Sequence, residues 1–189
     1  MKKIISIFVL LITIPAVVNS QFTKVGGGIA VSTGFHFNNE TGTDHRSGLL
    51  GPFIKGIYEI NLPFHISPSF TFFIPHVTKT EFGVDSESKV RVSSMMIDIN
   101  GHYVFNSLDR FEFYGLAGLN LNFSRIKWVS TLAGTTSKSV ETDNVLGLNL
   151  GAGTYFKLTD QFDIYSEAKY ILSRYDHFIF NLGVLINID

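Results

Sequence analysis

Between Phe111 and Phe123 the chain reads FEFYGLAGLNLNF, and every second residue is apolar or tiny. Phe111, Phe113, Gly115, Ala117, Leu119, Leu121 and Phe123 form one set. Glu112, Tyr114, Leu116, Gly118, Asn120 and Asn122 form the other. A period of two over this length is a long β-strand with an apolar face and a mostly polar or small one. Similar alternation along the chain predicts about eight strands. They fall near Lys24–Phe37, Leu49–Ile60, Ile66–Val77, Val90–Phe105, Phe111–Trp128, Val145–Lys157, Asp163–Ser173 and Phe178–Ile188. Pro68 weakens the third, because proline removes a ladder donor and suits strand ends, edges or bulges. Helical periodicity appears nowhere, so the fold class is all-β.

The connectors alternate in length. Long polar ones lie near Asn38–Ser47, Thr78–Lys89 and Val129–Asn144, and short ones near Asn61–His65, Asn106–Arg110 and Thr159–Phe162. The last, Arg174–His177, is brief but falls on the long side by position. Long-short alternation between antiparallel strands gathers the loops at one end of a barrel and the tight turns at the other. Bacterial outer-membrane barrels keep this asymmetry, with periplasmic turns and extracellular loops.

Which face meets lipid follows from the charges. Val25, Ile29 and Val31 begin a largely aliphatic set with a counterpart in each later strand. Aromatic residues gather towards strand ends: Phe35, Phe37, Tyr103, Phe105, Phe111, Phe113, Phe123, Trp128 and Phe156. Girdles of this kind mark the two membrane interfaces. The opposite set carries Lys55, Glu59, Asp98, His102, Glu112, Glu167 and Lys169. An apolar ligand cavity cannot hold that many unpaired charges, and they are too few to coat a soluble barrel. Inside a narrow transmembrane lumen they can pair, with glycine and asparagine filling the remainder. The expectation is an interior polar network of those seven residues, weakened by substituting Glu112 or Glu167.

The leader and the composition agree. MKKIISIFVLLITIPAVVNS has two lysines, an apolar run from Ile4 to Ile14 and a breaking Pro15. This is the layout of a cleaved signal peptide over residues 1–20, cut between Ser20 and Gln21, which leaves one domain over 21–189. The apolar run is shorter than the roughly 20 residues of a spanning helix. The chain has no cysteine, which excludes a lipoprotein anchor, a disulfide scaffold and cysteine-ligated metal. Charged residues are 16% of the chain, below the roughly one quarter usual in soluble domains. Without Lys2 and Lys3 the balance is mildly acidic, and no basic stripe is visible along the sequence, so nucleic-acid binding has no electrostatic footing.

The stretches YGLAGLNLNF, LGLNLGAGTYF, YSEAKY and FIFNLGVLINID, with the leader, resemble the small outer-membrane β-barrel family of the OmpX and OmpA-transmembrane-domain type. In style they look like barrels of Bacteroidota-type bacteria. The family's last strand commonly ends in an aromatic residue, whereas this one ends Ile188-Asp189. The resemblance implies a closed antiparallel transmembrane barrel, porin-like in location, inserted by the barrel-assembly machinery and surrounded by outer-membrane lipid. Both termini would be periplasmic. It implies no shared biochemical activity.

Candidate chemistry is sparse. GGGIAVSTG, GLAG and GLNLGAG lie inside strands, with no helix following, so they are not phosphate loops. The six histidines show no metal spacing, and neither a metal nor a cofactor is expected. His65-Ile66-Ser67 resembles the His-x-Ser of lipid A deacylase barrels, but stands beside a short turn and precedes Pro68. The long loop VSTLAGTTSKSVETDN could carry binding, though its sequence names no partner. The preferred function is a non-catalytic outer-membrane protein with an envelope-structural or surface-loop binding role, which leaves room for a role as an accessory to a larger membrane complex. The alternatives are a narrow channel or solute transporter, a lipid-modifying enzyme using His65 or Ser67, and a soluble lipocalin-like binder.

Overall fold

The computed structural model describes residues 22–38, 44–83, 86–132 and 135–188. The expected signal peptide and its cut site lie outside the described residues. Ten strands follow one another: β1 Phe22–Ser32, β2 Phe35–Asn38, β3 Asp44–Ser47, β4 Leu50–Asn61, β5 Phe64–Gly83, β6 Ser86–Leu108, β7 Phe111–Leu132, β8 Thr135–Lys157, β9 Phe162–Leu172 and β10 His177–Asn187. Eight of them form a closed ring in which each pairs antiparallel with its neighbours. The ring shuts where β1 meets β10, from Lys24↔Asn187 to Ser32↔Ile179. Strands β2 and β3 form a separate hairpin.

The facing is read most directly on β7. Leu119 and Leu121 are 52% and 42% exposed, whereas Asn120 and Asn122 are 1% and 4% exposed. The apolar set points away from the ring and the polar set into it. Phe64, Tyr103, Phe105, Phe111 and Phe162 stand outward at the short-turn end, and Phe72, Tyr170 and Phe178 stand outward towards the other. Trp128 departs from expectation. It follows Ile126 on the inner face and packs against the buried cluster, because an even-numbered residue of β7 cannot join an odd-numbered girdle. The side chains of Phe35 and Phe37 lie outside the described residues.

Three sequence expectations change. The first expected strand divides, because Gly34 has φ 78° and turns the chain out of the ring after β1. Its N–H donates to Ser32 Oγ at 2.9 Å. Pro68 lies inside β5, not at an end. Its pairing with Ile99 of β6 is kept, while the β4 ladder lapses between Lys55↔Ser69 and Tyr58↔Ile66, so the missing donor falls where no rung forms. Finally, the long loops expected over Thr78–Lys89 and Val129–Asn144 are mostly strand. Pairing of β5 with β6 runs out to Gly83↔Ser86, and that of β7 with β8 to Leu132↔Thr135. These segments are rich in Thr, Val and Ser at alternating positions, which suits a solvated β-sheet as well as a loop. Since β9 pairs with β8 only from Leu148 onward, β5 to β8 continue beyond the ring as a four-stranded sheet.

That extension predicts slow amide exchange. Backbone amides of residues 88–91 and 125–130, paired on both flanks, should exchange far more slowly than those of residues 158–161. Uniformly immediate exchange of 88–91 would mean that the segment is a loop.

Candidate functional site in the barrel lumen

Strand β9 sends Asp163, Tyr165, Glu167 and Lys169 into the lumen, because alternate residues share a face. Each charge meets an opposite one from another strand. Lys24 of β1 reaches Asp163 at 2.7 Å, Lys55 of β4 donates to Glu167, and Lys169 donates to Asp98 of β6 at 2.6 Å. Three cations and three anions therefore climb the lumen as matched pairs.

The two inner pairs are saturated with further donors. Asp98 also accepts from Asn120 Nδ2 at 2.7 Å, Asn149 Nδ2 at 2.9 Å and Ser69 Oγ at 3.3 Å. Glu167 accepts from Tyr114 Oη at 3.0 Å and Asn181 Nδ2 at 3.3 Å. Burying an ion pair is tolerable only when its remaining lone pairs are occupied in this way. With side-chain exposures of 1% or less, no water-filled channel runs past these four residues.

Aromatic rings fill the level beside the charges. His102 stacks on Tyr114 with centroids 4.3 Å apart, and Tyr114 stacks on Tyr155 at 4.5 Å. Tyr155 Oη lies 2.8 Å from His102 Nδ1, and the Lys55 ammonium sits 4.8 Å from the Tyr165 ring centre. Glycine makes this stack possible. A Cβ on Gly153 would come within 2.4 Å of Tyr114 Oη and 2.7 Å of the Ser166 carbonyl oxygen.

Of the seven residues expected in the network, Lys55, Asp98, His102, Glu167 and Lys169 lie together in the lumen. The other two do not join them. Glu59 stands at the short-turn end, 3.9 Å from His65 Nε2. Glu112 lines a basin of about 510 Å³ at that same end, together with Lys24, Arg110 and Asp163. It forms no ion pair among the described residues. Both glutamates share the inward parity but sit towards the rim, where they are only partly buried. His65 and His102 occupy facing positions on β5 and β6, and no group of three metal-ligating side chains converges among the described residues. Neither ring nitrogen of His65 nor Ser67 Oγ has a hydrogen-bond partner among them, so the two do not form the bonded pair that a nucleophilic serine requires.

At the other end, the β9–β10 turn is tied to β8. Tyr175 Oη donates to Asp143 Oδ2 at 2.6 Å. Partial burial and the Asp143 carboxylate push the Tyr175 phenol up to about 12, so this tie persists throughout the neutral range.

The outer membrane protein beta-barrel domain model matches residues 4–185. The chain belongs to that family. Among solved structures, Neisserial surface protein A is similar with a TM-score of 0.54 and 19% identity, covering 89% of this chain and 98% of that one. OprG from Pseudomonas aeruginosa gives 0.52 and 11%, with coverage of 86% and 93%. Ail, the attachment invasion locus protein of Yersinia pestis, in complex with the heparin analogue sucrose octasulfate, gives 0.51 and 20%, with coverage of 86% and 95%. At these identities the likeness concerns the fold. No curated protein sequence matches the chain.

The lumen of this barrel makes unequal predictions for two of its three expected glutamates. Glu167→Gln leaves Lys55 buried without its counter-charge and should lower unfolding free energy by about 3–5 kcal/mol. Glu112→Gln at the rim should change it by no more than about 0.5 kcal/mol. Urea titration in lipid vesicles, followed by Trp128 fluorescence, measures both. Equal effects would contradict the separation of network from rim.

Proposed function

We propose that this protein is a non-catalytic, non-conducting barrel of the outer membrane, serving envelope integrity and presenting its long hairpins at the cell surface. The observation that carries this reading is the closed lumen, where Lys55, Glu167, Lys169 and Asp98 occupy the axis as bonded pairs. A transporter needs a path or a site that substrate can reach, and this axis is filled by tyrosine rings and salt bridges. An outer-leaflet lipid esterase needs a reachable nucleophile, and Ser67 is fully buried. Support for the orientation comes from the difference between ends: tight turns at Leu62–Pro63 and Asp109–Arg110, long paired hairpins opposite. Both termini then lie in the periplasm, and the four-stranded extension of β5 to β8 projects outside. Ail was solved in complex with the heparin analogue sucrose octasulfate, a precedent within this fold for a barrel that takes a ligand. The same reading leaves room for a role as an accessory to a larger membrane complex.

Two measurements on the full chain test the reading. In planar bilayers the folded barrel should give no ion current above the lipid baseline, and stepwise conductance would favour the channel alternative. On intact cells, protease should cut near 84–85 and 133–134 and leave the short turns untouched. Cleavage only after the outer membrane is opened would reverse the orientation.

A further inference from the structure

Beyond the apolar belt, strands β5 to β8 carry six basic residues: Lys79, Lys89, Arg91, Arg125, Lys127 and Lys138. The register puts all six on one face. Lys79 stands opposite Lys89, Arg91 opposite Lys127, and Lys138 opposite Val129, which itself faces Lys89. Arg125 and Lys127 share the parity of Leu119, Leu121 and Phe123, so the cationic face continues the lipid-facing wall upward. The opposite face of the same extension bears Ile126, Trp128, Glu141 and Asp143, and no cation.

This arrangement is unfavourable in isolation. Like charges directly across an antiparallel pair repel, and here two such pairs sit side by side. None of the six forms an ion pair among the described residues, and all are exposed. Among the described residues the acids on that face of β5 and β6, Glu81 and Glu87, oppose one another at the tip. Height identifies what can supply the missing negative charge. Arg125 lies two residues past Phe123, about 7 Å along the strand and about 5 Å higher at the usual barrel tilt. Arg91 lies four residues from Met95 and Lys127 four residues from Phe123, about 10 Å above those two outward side chains at that tilt. The polar layer of one leaflet is about 5–8 Å deep. Arg125 therefore reaches into the headgroup layer, and Arg91 and Lys127 stand at its outer edge.

We infer that this face binds the phosphate groups of the glycolipid headgroups surrounding the barrel in the outer leaflet. The inference rests on the orientation proposed above. The bound phosphates relieve the cross-strand repulsion and hold the extension against the membrane surface. Neighbouring lipids are tied together through one protein, a concrete form of support for the envelope.

The test uses the full mature chain, folded in a neutral maltoside detergent, with phosphorylated lipid A as probe and dephosphorylated lipid A beside it. Lipid retained per barrel is counted after gel filtration at low and high salt. The barrel should retain the phosphorylated form preferentially, with loss at high salt. Lys127→Gln should weaken retention roughly fivefold, and R91Q/K127Q by roughly that factor again. The unboiled gel shift of each variant reports whether the barrel is folded, and E81Q/E87Q should not weaken retention. Equal retention of both lipids, or unchanged retention by R91Q/K127Q, overturns the inference. So does capture of a soluble sulfated polysaccharide with no retention of phosphorylated lipid A. An inverted orientation would be seen separately, as intact cells resistant to protease while retention in detergent persists.

Discussion

A backbone amide in hydrocarbon has only other backbone to bond to, and this constraint shapes the whole chain. It requires a ring without edges, so β10 must return to β1, and the nine rungs from Lys24↔Asn187 to Ser32↔Ile179 make that closure. Once the ring is closed, strand parity leaves no freedom. Each outward residue faces lipid and each inward residue faces a space only a few side chains wide. The divergence of β2 and β3 at Gly34 and the lapse of the β4 ladder at Pro68 are local departures that leave the ring intact.

The narrow space explains the chemistry inside it. Polar residues in the lumen cannot rely on bulk water, so each charge is set against another, and the Asp98 and Glu167 carboxylates are further surrounded by amide, hydroxyl and phenol donors. Strand β9 is the organiser, since Asp163, Glu167 and Lys169 recruit partners from β1, β4 and β6. The tyrosines add bulk without adding charge, and Gly153 gives Tyr114 the room to lie flat against its neighbours. The outcome is a rigid wall with a filled interior, suited to holding a projecting sheet in place. Function is then expected at the rims and on the extension, where side chains are free of these demands.

Much of this was legible in the alternation alone. FEFYGLAGLNLNF states the parity of β7, and the charged set on the opposite parity identifies the lumen. Parity does not reveal which inward side chains meet, which is why Glu59 and Glu112 looked like members of a network of ion pairs that they do not join. Polar stretches such as TKTEF and TTSKSVETD read as loops because strands are usually recognised by a buried face, and residues 78–81 and 135–142 are exposed on both faces. The basic face escaped notice for a related reason. Its six cations are scattered from Lys79 to Lys138, and only the register of four strands brings them together. The His-x-Ser at His65, discounted in the sequence for its place beside a short turn, has neither side chain hydrogen-bonded among the described residues.

The central claim is that the apolar face of each strand meets lipid and the polar face is enclosed. Because the chain has no cysteine, single cysteines introduced from 117 to 123 can each carry a nitroxide, one site at a time. With the barrel in lipid vesicles, relaxation by oxygen, which concentrates in hydrocarbon, is compared with relaxation by a water-soluble nickel chelate. Labels at 117, 119, 121 and 123 should be accessible to oxygen and shielded from nickel, whereas labels at 118, 120 and 122 should be shielded from both. The opposite phase, with 120 and 122 in contact with hydrocarbon, would show that the wall is inside out. Nickel access along the even positions would show that the lumen is open to water.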